Sequence, residues 1–270
     1  MRVLNYNVNK FKSISILTCG ILFLNGCSQI GVAQQAKTQP AQASAAQAPA
    51  HTPQIPVLMF HYVRHVNKTK DPLGYNLSIE GDTFEKMLRY FAENGYHSVH
   101  AADLLHTSLP QNPIVLTFDD GYVDFYTTAW PLLQKYHLTA SEAIISGRMD
   151  GKQYMTPAQV KEINQNGIEI LSHTVHHADL AKDPNQQSEI EESKKFLENL
   201  LGKKIQGLVY PSGKYNAETI RMLKKAGYSL AFTTKPGFAD LAGNLFELRR
   251  IRIDNRDSLN GLIKKLRAQP

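Results

Sequence analysis

Short apolar, β-prone runs alternate with helix-like segments along most of this chain, and that alternation constrains the fold more than any other feature. Val57-Leu58-Met59-Phe60 is the first run. A helix-like stretch follows through Phe84, Leu88 and Phe91, with Asp82 as its expected N-cap, Glu85 three residues on and Gly95 at its end. Ile114-Val115-Leu116-Thr117 is the next strand, followed by a helix-like stretch through Trp130, Leu133 and Tyr136. Ser141 to Ile145 reads as a strand, and Thr156-Pro157 opens a helix, with Pro at its first position and Gly167 beyond its end. Ile168 to Leu171 is a strand and Ser188 to Leu201 an amphipathic helix closed by Gly202. Ile205 to Tyr210 is a strand, Ala217 to Ala226 a helix closed by Gly227, and Ser229 to Thr233 a strand. Phe246 to Ile253 is the last strand, before a short basic helix. Repeated β–α units predict an α/β fold with a parallel sheet and helices outside. About seven or eight units predict a closed or nearly closed barrel. A doubly wound open sheet is the alternative, but no Gly-rich nucleotide fingerprint accompanies it.

The residues able to carry chemistry share an address. His61, the pair Asp119-Asp120, the cluster Ser172-His173-Thr174-Val175-His176-His177 and Pro211-Ser212-Gly213 each stand at the C-terminal end of a strand-like run. In a parallel barrel those ends form one face, where active sites are built. Two adjacent carboxylates on extended backbone are expected to point in roughly opposite directions. One can then bind a metal while its neighbour accepts a proton, and Gly121 lets the chain turn sharply after them. Asp-Asp-Gly alone is also an ordinary turn; the histidine cluster raises it. One Asp with two His suits a catalytic divalent metal that keeps open positions. His176 is an alternative to His177 as ligand. Thr174 stands where a His-Glu-x-x-His protease has its Glu, so that class is excluded.

The start of the chain reads as an export signal. Arg2, Lys10 and Lys12 precede an apolar core, Ile14 to Leu24, that is too short for a comfortable membrane span. Leu24-Asn25-Gly26-Cys27 resembles a lipobox, which makes Cys27 the expected lipidated residue of an exported, membrane-anchored lipoprotein at a bacterial cell envelope. A plain secretory signal or an uncleaved signal anchor is the alternative. Residues 1–26 are thus the expected signal peptide, 27–54 an Ala/Gln-rich flexible linker, and 55–270 one catalytic domain, expected to be monomeric. Cys19 and Cys27 both fall before the domain, which therefore has neither a disulfide nor a cysteine metal ligand. The formal charge of +6 shrinks without residues 1–26 to 27 basic against 24 acidic side chains, a net of +3. So small an excess excludes nucleic acid as the expected partner.

Thr117-Phe118-Asp119-Asp120-Gly121, together with Ser172-His173-Thr174-x-x-His177, resembles the first two motifs of the NodB-like polysaccharide deacetylases, carbohydrate esterase family four. The resemblance implies a distorted (β/α)7–8 barrel that removes N-acetyl, sometimes O-acetyl, groups from sugar polymers. It implies that Asp119 is the general base and that Asp120, His173 and His177 hold a divalent metal. Zinc is the expected ion, with cobalt or nickel as alternatives. Val209-Tyr210-Pro211-Ser212-Gly213 resembles the third motif, so Tyr210, Pro211 and Ser212 are expected to form one groove wall, with the Ser212 backbone N–H toward the oxyanion. The family often has an Arg where this chain has Tyr210, and that Arg holds the catalytic Asp. Arg250 or Arg252 could fill the role. A usual late Leu-x-His motif is missing, since no histidine follows His177. His61 is its expected substitute as general acid. That is similar to the subgroup that deacetylates poly-β-1,6-N-acetylglucosamine. Peptidoglycan or chitin oligomers are alternative substrates, and a non-catalytic glycan-binding relic of the fold is the alternative from another class. A buried, hydrogen-bonded structural histidine is the competing reading of His61. Core packing is the default for Tyr210 and Trp130, and packing competes with sugar stacking for Tyr62 and Tyr215.

Overall fold

The computed structural model describes residues 54–268; the signal segment, Cys27 and the linker before Gln54 lie outside the described residues. Eight parallel strands form the main sheet: β1 (Val57–Phe60), β2 (His97–Val99), β3 (Pro113–Asp120), β4 (Ser141–Ile144), β5 (Glu169–Ser172), β6 (Gly207–Val209), β7 (Leu230–Pro236) and β8 (Leu248–Arg252). Seven of them close a ring in the order β1-β8-β7-β6-β5-β4-β3, because β3 pairs back onto β1 from Val57↔Val115 to Phe60↔Phe118. The closed barrel, not the open sheet, is therefore the fold. Strand β2 lies outside the ring on the lower half of β3, from His97↔Pro113 to Val99↔Val115, while β4 takes the upper half. The apolar pattern does not reveal β2, since its first residue, His97, is exposed.

The outer layer is α1 (Gly81–Glu93), α2 (Trp130–Lys135), α3 (Pro157–Gln165), α4 (Gln186–Leu201), α5 (Ala217–Lys225) and α6 (Leu259–Arg267). Local chemistry sets their ends. The Thr156 side chain accepts from the N–H of Gln159, whose side chain returns to the Thr156 N–H, and Asn216 with Thr219 repeats the device. Gly202 closes α4 in the left-handed conformation. Asp82 is not the cap of α1. The helix starts one residue earlier, at Gly81, and Asp82 sits in its first turn, where a carboxylate still favours the helix dipole.

The barrel strands are buried on both faces, as parallel strands under helices must be. Val57, Val115, Ala143, Leu171, Val209, Leu230, Phe232 and Leu248 fill the ring. Their neighbours Leu58, Phe60, Leu116 and Phe118 face outward against Phe84, Leu88 and Phe91 of α1. Burying one such side chain contributes about 1.5–3 kcal/mol. The apolar filling stops at the C-terminal strand ends, where the polar residues begin.

Candidate active site

At that end lies a cleft of about 260 Å³, lined among others by His61, Asp119, Asp120, His173, His177 and Ser212. Asp120 Oδ1 stands 3.4 Å from His173 Nε2 and 3.6 Å from His177 Nε2. The three ligand atoms lie within 4.8 Å of one another, and among the described residues this is the one such cluster. Donors on bonds of about 2.1 Å at tetrahedral angles stand about 3.4 Å apart, so the spacing fits a divalent cation. His173 Nδ1 lies 2.7 Å from the Val209 carbonyl oxygen. A carbonyl only accepts, so Nδ1 carries the proton and Nε2 keeps its lone pair toward the cluster. The structure thus brings His177, not His176, to the cluster. His176 Nδ1 instead lies 2.7 Å from Glu189 Oε1 on the exposed side of the loop.

The neighbouring carboxylate has a different environment. Asp119 is clamped by Arg250, with Nη1 at 2.7 Å from Oδ1 and Nη2 at 2.8 Å from Oδ2. Arg250 is fully buried and is itself fixed, donating from Nε to the Thr233 carbonyl and from Nη1 to Thr117 Oγ1. Thr117 in turn donates to the Leu58 carbonyl. Burial would raise the Asp119 pKa, but the charge and hydrogen bonds of Arg250 outweigh it and hold the carboxyl below the usual range. Of the two arginines considered, Arg250 is the one against Asp119; Arg252 lies at the rim. His61 Nε2 is 3.8 Å from Asp119 Oδ2. Burial lowers the His61 pKa, Arg250 and Arg252 add to that, and Asp119 and Asp120 oppose it. Asp120 is also held well below the usual carboxylate range: burial opposes ionisation, and the His173 hydrogen bond and charge overcome it.

Two expectations need correction. Asp119 and Asp120 do not diverge to opposite faces. Asp120 adopts φ +84°, which breaks the alternation of the strand and turns both carboxylates into one cleft. Tyr210 and Pro211 form no groove wall. Both are buried; the Tyr210 ring stacks on Tyr215 and its hydroxyl donates to the Phe246 carbonyl, so only Ser212 of that motif reaches the cleft. Of the two readings of Tyr62, packing is the one the structure supports, since its ring lies between the Arg64 guanidinium and the Tyr122 ring. Strain collects here: of the seven described non-glycine residues with positive φ, Asp120, Thr174, His177 and Ser212 surround the site.

Sequence reasoning missed the rest of the lining. Tyr122 and Tyr154 stack at 5.2 Å between centroids, and the Arg148 guanidinium donates to the Tyr154 hydroxyl at 3.1 Å. Tyr122 directly follows the Asp-Asp-Gly turn, which is a signal that could have found it. Arg148 and Tyr154 sit in an irregular loop with no pattern to mark them.

Comparison with known proteins matches residues 106–231 to the family model described as polysaccharide deacetylase. YxkH of Bacillus subtilis (strain 168), which carries the name of a polysaccharide deacetylase, is 34% identical over 206 residues, covering 74% of this chain and 71% of that protein. The poly-β-1,6-N-acetyl-D-glucosamine N-deacetylase of Escherichia coli (strain K12) is 25% identical over 240 residues, and the match spans 70% of this chain but only 36% of that longer protein. Among solved structures, the Streptococcus pyogenes deacetylase PplD, in complex with acetate, superposes with a TM-score of 0.74 at 32% identity, over 79% of this chain and 98% of that one.

Proposed function

Because the chain belongs to the NodB-like polysaccharide deacetylase family, we propose that it hydrolyses N-acetyl groups of a cell-surface N-acetylglucosamine polymer, poly-β-1,6-N-acetylglucosamine. The observation that carries the choice of polymer is His61, delivered by the first strand to 3.8 Å from Asp119. The similarity to the Escherichia coli enzyme named for that polymer supports it. A divalent metal, zinc in this reading, held by Asp120, His173 and His177 would supply Lewis acidity, polarising the acetyl carbonyl and acidifying water. Asp119, kept ionised and oriented by Arg250, takes the proton of the attacking water. The backbone N–H of Ser212 donates to the oxyanion that forms on the acetyl carbon. His61 gives its proton to the leaving nitrogen, because an amine expelled as an anion is a very poor leaving group. The C–N bond breaks, and acetate and a free amine result. We also propose export and anchoring through a lipid on Cys27.

The test is acetate release by the metal-loaded protein from β-1,6-linked N-acetylglucosamine oligomers, chitin oligomers and peptidoglycan, with metal content measured alongside. Asp120→Asn, His173→Ala and His177→Ala are expected to lose metal and acetate release together. Asp119→Asn and His61→Ala keep the metal and lose about a hundred- to ten-thousand-fold in rate. Release from peptidoglycan or chitin alone would move the substrate. No release from any of them, with metal bound, would make the protein a glycan-binding relic. A His61→Ala rate within a few-fold of wild type would return His61 to a structural role.

A further inference from the structure

Deacetylation changes the charge of its own substrate. A neutral acetamide becomes a primary amine, and amines of this kind are largely protonated near neutral pH. Every turnover on a polymer therefore leaves a cation beside sugars that are still acetylated. The walls of the cleft bear on what happens next.

Two arginines line the cleft, Arg148 and Arg252, whereas Arg250 is buried behind Asp119. Arg148 is exposed and belongs to the turn Ser146–Arg148 just beyond β4; Arg252 is half-buried at the end of β8. In the closed ring β4 and β8 stand on opposite sides, three strands apart one way and four the other. The two cations thus flank the catalytic residues from facing walls. Among the described residues neither has a carboxylate within ion-pair distance. Among the described residues the side-chain partners of Arg148 are the hydroxyl and ring of Tyr154. Asp254, the acid nearest Arg252 in sequence, is bound by Arg256 through Nε at 2.8 Å. Arg252 also borders a second, larger groove of about 750 Å³, lined by Lys235, Arg249 and Lys265 and by the acids Asp240 and Glu247. A sugar chain bound across the cleft would have an arginine of each wall beside it.

We propose that Arg148 and Arg252 are specificity-determining residues that read the charge of the neighbouring sugars: they disfavour a glucosammonium next to the sugar being deacetylated and so space the free amines along the product. The inference rests on the polymer N-deacetylase reading above. Two unit charges about 6 Å apart in a wet or half-wet cleft repel enough to shift the choice about three- to tenfold. The effect is electrostatic, so salt weakens it.

The experiment uses the metal-loaded full chain and a fully acetylated β-1,6-linked N-acetylglucosamine hexamer. Doubly deacetylated products are sequenced by tandem mass spectrometry, and the fraction with adjacent amines is compared with random placement. Wild type at low ionic strength is expected to show adjacent amines about three- to tenfold below random. The deficit should shrink at about 1 M salt, where the screening length falls to about 3 Å. It should shrink also in Arg148→Gln and Arg252→Gln, and vanish in the double variant. Adjacent amines at or above the random level in wild type would overturn the proposal. So would a deficit that survives in the double variant. Absence of acetate from the hexamer would withdraw the polymer reading and this inference together, whereas acetate with random spacing withdraws this inference alone.

Discussion

Glu142 carries a carboxyl that the fold holds away from water. It is fully buried on β4, and its Oε1 accepts the N–H of Gly121, at 3.0 Å, in the turn after the two aspartates. Its other oxygen has no partner among the described residues. Burial first, then the charges of Asp119, Asp124 and Asp120, push its pKa well above the ordinary 4.5. The sign follows from linkage. Between the ordinary value and the raised one, the unfolded chain has released this proton and the native state still holds it, so stability falls as pH rises. Below the ordinary value both states hold it and the penalty disappears. Glu142→Gln keeps an acceptor for Gly121 and removes the titration. In urea unfolding of the metal-free protein, its stability relative to wild type should therefore grow between pH 5 and pH 8, at most by about 1.4 kcal/mol per pH unit. A difference independent of pH would mean that Glu142 is ionised in the native state. Glu142 also shows what single residues conceal. Asp119, Asp120, His173, His177 and His61 could be found because each ends an apolar run. Glu142 lies inside such a run, and nothing in the pattern tells a buried acid from a strand edge. Arg250 and Arg252 share one face of β8 by alternation; only depth in the barrel separates the one on Asp119 from the one at the rim.

At the scale of elements, β6 is a tight fit between its neighbours. Gly207 begins it, between β5 and β7, and a Cβ there would stand 2.8 Å from both Leu171 Cδ2 and Leu230 Cδ1. Both leucines are fully buried inside the ring and have nowhere to retreat. Gly207→Ala should destabilise by about 1–3 kcal/mol through overpacking, outweighing the gain of up to about 1 kcal/mol from a stiffer unfolded chain. Gly81 is the control. It opens α1, and a Cβ would find only Thr128 Cγ2 at 3.9 Å, so Gly81→Ala should stabilise by about 0.4–1 kcal/mol. Thermal unfolding of both variants checks the contrast; equal shifts would mean that the barrel interior is looser than its packing indicates. Element type was readable from sequence because α3, α5 and α6 carry their own caps and most strands their own apolar runs. Element ends were less so. Strand β6 spans three residues where the apolar run predicts six, and β2 takes its pairing from β3 rather than from its own composition.

For the molecule as a whole, the proposed tether decides where the chemistry happens. Metabolic labelling with a fatty-acid probe should mark the wild-type protein and spare Cys27→Ser, which should appear in the soluble fraction; an unlabelled wild type free in the medium would remove the anchor. The closed ring has its own consequence for such a chain. The guanidinium that clamps Asp119 arrives 131 residues later, on the strand that seals the barrel between β7 and β1. Until β8 docks, the Asp119 carboxylate stands in an unfinished cavity without the counter-charge of Arg250. Sealing of the ring and pairing of Asp119 with its guanidinium are thus one event, and a copy cut before β8 should be silent rather than half-active. For the proposed hydrolase, the strand that seals the ring works as a safety catch.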